Sequence, residues 1–308
     1  MLEMRYSTEV AKARDAGAPI VALESTIITH GMPYPQNLAM AQQVEDDIRQ
    51  AGATPATIAV LGGTIHIGLE PAELERLAQT KGALKLSRAD LAVALAMGAT
   101  GATTVAATMI CAARAGIAVF ATGGIGGVHR GAELSFDISA DLQELAQSPV
   151  TVVAAGAKAI LDLPKTLEVL ETLGVPVIAY GQSGFPAFWS RESGLPAPLR
   201  MDDVADIARA HLMRAALGLP GGQLVANPIP EADEIPRAVI DGWIAQALED
   251  CAGVAAKEVT PRLLARIYEL SGGASLTANI ALVRNNARLG AQIARALVSQ
   301  AAQPHIGG

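Results

Sequence analysis

The stretch IAVFATGGIGGVHRGAELSFDISADLQEL, residues 117–145, contains a strand, a loop and a helix start in that order. IAVFAT is an apolar run of strand length, the loop after it carries five glycines, and Ser139 can cap a helix that begins at Ala140. This order is typical of one βα unit of a parallel sheet. The loop and the helix start also carry five titratable side chains, namely His129, Arg130, Glu133, Asp137 and Asp141.

Apolar runs of strand length alternate with helix-like segments along the rest of the chain. The predicted strands are residues 19–24, 57–62, 117–122, 150–155, 175–180 and 223–228. The capping-box spacing of Ser87 and Asp90 predicts a helix at LAVALAM. Further helices are predicted at residues 140–147, 201–217, 261–269 and 275–301. This alternation predicts the α/β class, with βαβ units around a largely parallel sheet.

Length and composition set the size and character of the core. A chain of 308 residues can form one large α/β domain or two smaller ones. Hydrophobic residues make up 51% of the chain but aromatic residues only 3%, so the core must consist mostly of Ala, Val, Leu and Ile. Such a composition is typical of α/β proteins.

The charge balance argues against nucleic-acid and membrane partners. Lys plus Arg number 23 against 30 Asp plus Glu, and the net charge of −7 would repel phosphate backbones and anionic lipids. Residues 91–113 carry no charge, but Gly98, Gly101 and four threonines interrupt them, which favours two buried elements joined by a turn over a membrane span. Two cysteines and an N-terminus without a secretory h-region indicate a reducing, cytoplasmic location.

Polar side chains recur where predicted strands end. Glu24 follows the first strand, Thr122 and the glycine loop follow the third, Lys158 follows the fourth, and Asn227 follows the last. Ligands of open α/β sheets bind beyond the carboxyl ends of the strands. We therefore expect a binding site at this edge of the sheet.

The glycine loop and its acidic neighbours each allow two interpretations. The loop fits neither GxGxxG nor GK[ST], so it is either a turn with a steric purpose or a backbone cradle for an anion. His129 could be structural or a ligand contact. Asp137 and Asp141 could flank a helix N-terminus, where the helix dipole favours them, or they could bind a divalent cation or a sugar hydroxyl with Ser139.

Two lysines, one glutamate and one long loop leave similar alternatives. Lys158, in the apolar segment VVAAGAKAILDLP, is either a nucleophilic amine or a lysine that reaches from a helix start to water. Glu24 is suited to proton transfer if it is partly buried. Lys85 is either an anion contact or a solvated lysine. Residues 183–200 form the longest irregular stretch and predict either a binding loop or an interdomain connection.

Eight motifs resemble one enzyme family and occur in the same order over about residues 18–300. They are VALESTIITHGMPYPQN, ATTVAATM, FATGGIGGVHRGAE, DISADLQEL, VVAAGAKAILDLPKTLEVLET, NPIPE, KEVTPRLL and TANIALVRNNA. On these motifs the chain resembles pseudouridine-5′-phosphate glycosidases, the family that also includes indigoidine-synthase-A-like proteins. Long motifs in this order make the resemblance specific.

The resemblance implies an enzyme that reversibly cleaves the carbon–carbon glycosidic bond of pseudouridine 5′-phosphate. The products would be uracil and ribose 5-phosphate, formed through a lysine Schiff base. It further implies an α/β/α sandwich, one domain over residues 1–308, a homotrimer, and a divalent metal that is typically Mn²⁺. A separate Schiff-base phosphosugar lyase or aldolase, or a non-catalytic nucleotide-binding regulatory protein, remains the alternative function.

The resemblance also implies roles for individual residues. Glu24 corresponds to the general acid/base, Lys158 to the Schiff-base nucleophile and Asp137 to the metal ligand. The positions that correspond to substrate contacts are Lys85, Val105, His129, Ser139, Ala140, Asp141 and Asn279. The chemistry suits these residue types, because a bond between two carbons needs an electron sink that an amine can create as an iminium.

Overall fold

The computed structural model describes residues 3–251 and 259–302, so residues 257–258 of the KEVTPRLL motif lie outside the described residues. The strands are β1 Met4–Tyr6, β2 Ile20–Leu23, β3 Thr54–Leu61, β4 Thr64–Ile67, β5 Leu84–Leu86, β6 Gly101–Thr103, β7 Val119–Ala121, β8 Thr151–Ala154, β9 Val177–Tyr180, β10 Leu199–Met201 and β11 Gln223–Ala226.

The helices precede, separate and follow these strands. They are α1 Thr8–Asp15, α2 Thr26–His30, α3 Gln36–Gln50, α4 Pro71–Gln79, α5 Arg88–Ala96, α6 Val105–Ala115, α7 Ala132–Ser135, α8 Ala140–Leu145, α9 Leu163–Thr172, α10 Val204–Ala216, α11 Arg237–Asp250, α12 Val259–Leu270 and α13 Ala274–Ala301. A short 3₁₀ turn at Glu231–Asp233 joins β11 to α11.

The central sheet is parallel across its larger part. Strands β3, β2, β7, β8, β11, β9 and β10 lie side by side in that order, and every pair among them is parallel. All their carboxyl ends therefore point to one edge of the sheet. The predicted α/β class and largely parallel sheet are confirmed.

Strand β3 also belongs to a second, mixed set of strands. Its first half pairs with β2, whereas Ile58–Leu61 pairs antiparallel with β4 and Ala59 and Val60 pair antiparallel with β6. Gly62 and Gly63 form the two-residue β3–β4 loop, both with positive φ (58° and 78°). Glycine adopts this conformation without steric cost, so the pair makes a tight hairpin turn.

Helices cover the sheet and complete a sandwich. The 28-residue helix α13 packs across β2, β7 and β8 together with α3 and α10. Gly290 allows this close approach, since a Cβ there would lie 3.3 Å from the Cβ of Ala121. Helix α6 contacts β2, β3 and β7 as well as α5 and α8. The fold is thus the α/β/α arrangement that the family resemblance implies.

Most of the predicted strands and helices are present in the structure, and their ends differ from the predicted ends by a few residues. Helix α10 begins at Val204 rather than at 201, because Leu199–Met201 pairs with β9 and the Asp203 carboxylate caps the helix by accepting from Ala205 N–H at 2.8 Å. Residues 91–113 form parts of α5 and α6 with β6 between them, as expected from the interrupted apolar run. No helix in the described part of the chain is long and apolar enough to cross a bilayer.

Asp47 joins α3 to α13 through two arginines. Its buried carboxylate accepts hydrogen bonds from Arg284 Nε at 2.6 Å and from Arg288 Nη2 at 2.7 Å. Burial opposes ionisation, but the two guanidinium groups outweigh it and lower the pKa of Asp47 below its ordinary value of 3.8. The ion pairs therefore tie the long helix to α3 wherever Asp47 is ionised.

We predict that Asp47→Asn lowers the free energy of unfolding by about 1 to 3 kcal/mol at pH 7, because both arginines lose a charged acceptor. The folded-state pKa is depressed, so this stabilisation is complete above 3.8 and is lost as the pH falls from there through the folded-state value. Urea unfolding from pH 7 to pH 3 measures the effect. The exposed neighbour substitution Asp46→Asn should change stability by less than about 0.5 kcal/mol, and equal effects of the two would contradict the assignment.

Candidate active site

Four predicted site segments meet at the carboxyl edge of the parallel strands. Strands β2, β7, β8 and β11 are consecutive neighbours, and Glu24, Thr122, Gly156 and Asn227 lie one or two residues beyond their ends. Adjacent strands are about 4.8 Å apart, so positions beyond β2 and β8 are roughly 10 Å apart with β7 between them. A half-buried glutamate and a half-buried lysine, Glu24 and Lys158, thus flank the end of β7.

Two threonine hydroxyls hold the Glu24 carboxylate. Thr122 Oγ1 donates to Glu24 Oε1 at 2.5 Å, and Thr26 Oγ1 donates to Glu24 Oε2. Each carboxylate oxygen therefore has its own hydroxyl donor, one from the end of β7 and one from the start of α2. This pair of bonds fixes the plane of the carboxylate.

An apolar pocket lies beside Glu24, between the ends of β2 and β7 and the helices α2, α3 and α13. It is lined by Leu23, Glu24, Ile27, Ile28, Met40, Ala41, Val44, Thr57, Ala121, Thr122, Gly123 and Val283. Three polar side chains, Glu24, Thr57 and Thr122, interrupt this apolar lining.

The backbone at Lys158 is held by pairing with the glycine loop. Ile125 N–H donates to Gly156 O, and Lys158 N–H donates to Ile125 O, each at 3.1 Å. Gly156 has a φ of 86°, and a Cβ there would lie 2.7 Å from the carbonyl oxygen of Pro186. Among residues 3–251 and 259–302, no carboxylate forms an ion pair with the half-buried Lys158 amine. An amine that is not engaged by a carboxylate is available for nucleophilic attack.

Close packing inside the protein explains the glycines of the loop. A Cβ on Gly124 would lie 2.6 Å from the Phe188 ring, and one on Gly126 would lie 2.2 Å from Ser139 Oγ. A Cβ on Gly127 would lie 2.5 Å from Thr166 Oγ1. None of the three has a positive φ, so the steric interpretation accounts for them without an anion.

The Asp141 carboxylate connects the glycine loop to helix α6. Its Oδ2 accepts from Gly126 N–H at 2.8 Å, and its Oδ1 accepts from Ala106 N–H at 2.9 Å. Ser139 caps α8 by accepting from Asp141 N–H at 3.2 Å. Val105, the first residue of α6, is buried beside this contact. The structure therefore brings Val105, Ser139, Ala140 and Asp141 together at the α6 N-terminus.

Lys85 belongs to the same neighbourhood through β6. Lys85 pairs in register with Ala102, and the next β6 residue, Thr103, accepts from Ser25 N–H and donates its own N–H to Ser25 Oγ at 2.9 Å. Ser25 directly follows Glu24. Burial lowers the pKa of His30, and the positive charge of Lys85 lowers it further. The Lys85 ammonium therefore acts on the end of α2, the helix that begins two residues after Glu24.

His129 and Asp137 face each other across a turn. His129 N–H donates to the Asp137 carbonyl at 3.0 Å, and their side chains approach to 3.9 Å between Nδ1 and Oδ2. Within the described ranges, no three His, Cys, Asp or Glu side chains converge as a metal site. The Asp137 side chain is 43% exposed, so its carboxylate is open to a hydrated cation.

Asn279 lies behind the loop rather than in it. Its Oδ1 accepts from Trp189 Nε1 at 2.6 Å, and the same indole N–H lies 3.1 Å from Ser275 O. This bond attaches the irregular segment 183–198 to α13, with Phe188 and Trp189 buried. Phe188 in turn packs against Gly124, so Asn279 supports the glycine loop through the Phe188–Trp189 segment.

Sequence reasoning assigned no role to Thr26, Thr122 or Asn286. Asn286 is fully buried on α13 and donates to the carbonyl of Thr122 at 2.8 Å. A signal for Thr122 was present, because it is a polar residue directly after an apolar strand. Asn286 offered a weaker signal, as an amide on the apolar face of a helix.

A family model described as indigoidine synthase A like protein matches residues 9–296 of the chain. The chain belongs to this family. A pseudouridine-5′-phosphate glycosidase of Jannaschia sp. (strain CCS1) is 71% identical over 300 residues, with 97% of this chain and 99% of the relative covered. One from Roseobacter denitrificans is 70% identical over 302 residues, with 97% of both chains covered. Family membership thus rests on almost the entire chain.

Two solved structures of similar proteins have the same fold. The prealnumycin C-glycosynthase AlnA in complex with ribulose 5-phosphate has a TM-score of 0.91 and 41% identity, with 98% of this chain and 99% of that chain covered. An indigoidine synthase A-like protein of Thermotoga maritima MSB8 has a TM-score of 0.88 and 34% identity, with 96% and 97% covered. The family fold therefore spans the parallel strands, their connecting helices and the candidate site.

We predict that Gly126→Ala lowers kcat by at least about 10-fold, because the new methyl group displaces Ser139 and Asp141 from the loop. The same overpacking should cost about 1 to 3 kcal/mol of stability. Gly242→Ala is the matched control, since Gly242 lies within α11 with no atom within 4 Å of the added Cβ. It should leave kcat unchanged and stabilise the protein by up to about 1 kcal/mol. Full activity of Gly126→Ala would show that the loop tolerates the displacement.

Proposed function

We propose that this protein is a pseudouridine-5′-phosphate glycosidase, which reversibly converts pseudouridine 5′-phosphate and water into uracil and ribose 5-phosphate. The observation that carries the proposal is the placement of Glu24 and Lys158 on the two sides of β7, in a chain 71% identical to a relative of that name. The bond to be broken joins two carbons, and ordinary paired-carboxylate glycoside hydrolysis is poorly suited to it.

The Lys158 amine supplies the electron sink in this mechanism. Opening of the ribose ring breaks the C1′–O4′ bond: the ring oxygen takes a proton and becomes a hydroxyl, and loss of the uracil N1 proton leaves a double bond between C1′ and C5. Nζ of Lys158 can then add to C1′. Protonation of uracil C5 and cleavage of the C1′–C5 bond then leave an iminium between C1′ and Nζ. Water adds to the iminium and releases ribose 5-phosphate, which regenerates the amine.

Glu24 moves the protons in these steps. It gives a proton to the departing ring oxygen or the uracil carbon and takes one back from water or the amine. The Thr26 and Thr122 hydroxyls keep its carboxylate in one orientation through this cycle. A fixed acid/base group favours the reacting geometry, because small displacements lower rates strongly.

Remote contacts bind the rest of the substrate. Lys85 binds the phosphate, and His129 and the backbone around Val105 and Ser139–Asp141 contact the sugar phosphate, whereas Asn279 supports the glycine loop through its bond to Trp189. The Asp141 carboxylate already accepts two backbone N–H bonds, so it contributes chiefly by holding the loop and the α6 N-terminus. Binding energy from the phosphate then positions the small reacting fragment.

A divalent metal fits this site through Asp137. Carboxylate oxygens are suitable ligands for Mn²⁺. A hard cation can be bound by one carboxylate together with water and substrate oxygens. The exposed Asp137 carboxylate beside His129 meets that requirement. When bound, the cation would offset negative charge on the substrate. We further propose a homotrimer of single-domain chains in the cytoplasm, which analytical ultracentrifugation and fractionation can test.

The direct test is the reverse reaction, the synthesis of pseudouridine 5′-phosphate. The purified protein, uracil, ribose 5-phosphate and Mn²⁺ should give pseudouridine 5′-phosphate, detected by chromatography and mass spectrometry. A different Schiff-base phosphosugar lyase or aldolase would bind ribose 5-phosphate without joining it to uracil. A non-catalytic nucleotide-binding regulatory protein would bind ligand without any turnover. Either result would replace the proposed function.

We predict a covalent sugar adduct on Lys158 when the protein and ribose 5-phosphate are treated with borohydride, because reduction converts the imine to a stable amine. Lys158→Arg keeps the charge but cannot form the imine, so kcat should fall by at least about 1,000-fold while ligand binding persists. Peptide mass mapping locates the adduct. Lys165→Arg is the control, since exposed Lys165 pairs with Glu133 and Asp162 and should be dispensable. An adduct on another lysine would remove Lys158 from its role.

We predict that Asp137→Asn raises the Mn²⁺ concentration for half-maximal activity by about 10-fold, because a neutral amide is a poorer ligand for a hard cation. The fold should be retained, since the side chain is partly exposed. Glu133→Gln in the neighbouring helix α7 is the control, because this exposed carboxylate pairs with Lys165. Mn²⁺ titration of activity and of the electron paramagnetic resonance signal measures both variants. Identical titrations for wild type and Asp137→Asn would exclude the assignment.

A further inference from the structure

A buried amide network lies beneath the candidate site and connects three elements. Asn286 on α13 has no exposed surface, and its Nδ2 donates to Thr122 O at 2.8 Å and lies 3.4 Å from Gly123 O. Its Oδ1 accepts from Asn227 Nδ2 at 3.0 Å. Asn227 follows β11, whereas Thr122 and Gly123 follow β7. One amide thus links the ends of two strands that flank β8.

The orientation of the network is fixed by its acceptors. The carbonyls of Thr122 and Gly123 can only accept, so the NH₂ group of Asn286 must face them. Its oxygen then faces Asn227, which must donate. Since Asn227 N–H is itself bonded to Ala154 O at 2.8 Å, every member is tied to the sheet. A network satisfied in this way has one arrangement.

The network ends at the acid/base group. Thr122 is held at its carbonyl by Asn286 and at its N–H by Val153 O, and its hydroxyl donates to Glu24 Oε1 at 2.5 Å. The position of that hydroxyl depends on the backbone of Thr122. A shift of the peptide between Thr122 and Gly123 would therefore lengthen the bond to Glu24.

We propose that Asn286 is a positioning residue, which holds Thr122 so that its hydroxyl orients the Glu24 carboxylate for proton transfer. This inference rests on the proposed function of Glu24. Asn286 does not touch the reacting atoms, and its effect passes through Thr122. Helix α13 thereby contributes to catalysis from a position 164 residues away in the sequence.

A double-mutant cycle tests the proposal. Asn286→Leu replaces the amide with an apolar side chain of the same branched shape, and Thr122→Val removes the hydroxyl at similar shape. Each single variant should lower kcat by about 100-fold, with KM and the Kd of ribose 5-phosphate within about twofold of wild type. The double variant should be no worse than either single variant within about twofold, because both changes break the same link. Thr122→Ser, which keeps the hydroxyl, should recover most of the rate.

Gln223→Met is the matched structural control. Gln223 is equally buried on β11 but at the amino end of the strand, where it donates to Thr151 Oγ1 and Ile207 O. The Gln223→Met substitution should lower the melting temperature of the protein without changing kcat. If Asn286→Leu does not fold, Asn286→Ser takes its place, since it leaves room for a water molecule.

Three outcomes would overturn the inference. Multiplicative rate losses in the double variant would show that Asn286 and Thr122 act independently. A rate loss in Gln223→Met equal to that in Asn286→Leu would show a general effect of destabilisation. Wild-type kcat in a folded Asn286 variant would remove the role outright. Failure of the proposed function is recognised separately, because wild-type protein would then form neither pseudouridine 5′-phosphate nor a Lys158 adduct.

Discussion

The pairing of the glycine loop with the segment that carries Lys158 is the constraint on which the site depends. Beyond the regular ends of β7 and β8, Ile125 N–H donates to Gly156 O and Ile125 O accepts from Lys158 N–H, so the two segments stay paired side by side past the ends of the strands. This backbone pairing fixes Lys158 without any contact to its side chain. The position of Lys158 in the site therefore does not depend on an ion pair, and its amine stays available for reaction.

The same pairing determines which residues can surround the loop. The loop lies close to Phe188, Ser139 and Thr166, which leaves no room for side chains at Gly124, Gly126 or Gly127. The N–H of Gly126 donates to one oxygen of Asp141. The second oxygen accepts from the N-terminus of α6, where the helix dipole also favours a carboxylate. The carboxylate of Asp141 therefore satisfies backbone N–H groups of both the glycine loop and α6.

The sequence predicted the parts of this molecule that depend on local pattern. Buried parallel strands appear as continuous apolar runs, and the rule that ligands bind beyond strand ends located Glu24 and Lys158 correctly at one edge. The short strands β1, β4, β5, β6 and β10 were missed, because each has only three or four residues with polar members among them and so forms no continuous apolar run. The Gly62–Gly63 hairpin was also missed, although two glycines after an apolar strand are a recognised turn signal.

Partners distant in sequence could not be predicted in the same way. Nothing near Asn286 or Asp141 in the chain indicates that they bond to Thr122 and Gly126, because those contacts exist only after α13 and α8 have packed on the sheet. Asp141 illustrates the consequence. Its spacing from Asp137 allowed either a position at a helix N-terminus or a shared metal or sugar contact, and the fold uses its carboxylate for backbone amides and leaves Asp137 partly exposed.

Glu24 and Lys158 are held in opposite ways, and the difference suits their proposed roles. An acid/base group must present the same oxygen to several proton transfers in turn, and the Glu24 carboxylate is bonded at both oxygens by hydroxyls from two elements. A nucleophile must approach C1′, carry the sugar through bond cleavage and then release it. Lys158 has a fixed backbone and a side chain with no ion pair in the described part of the chain, so it can move through these positions while Glu24 stays in place.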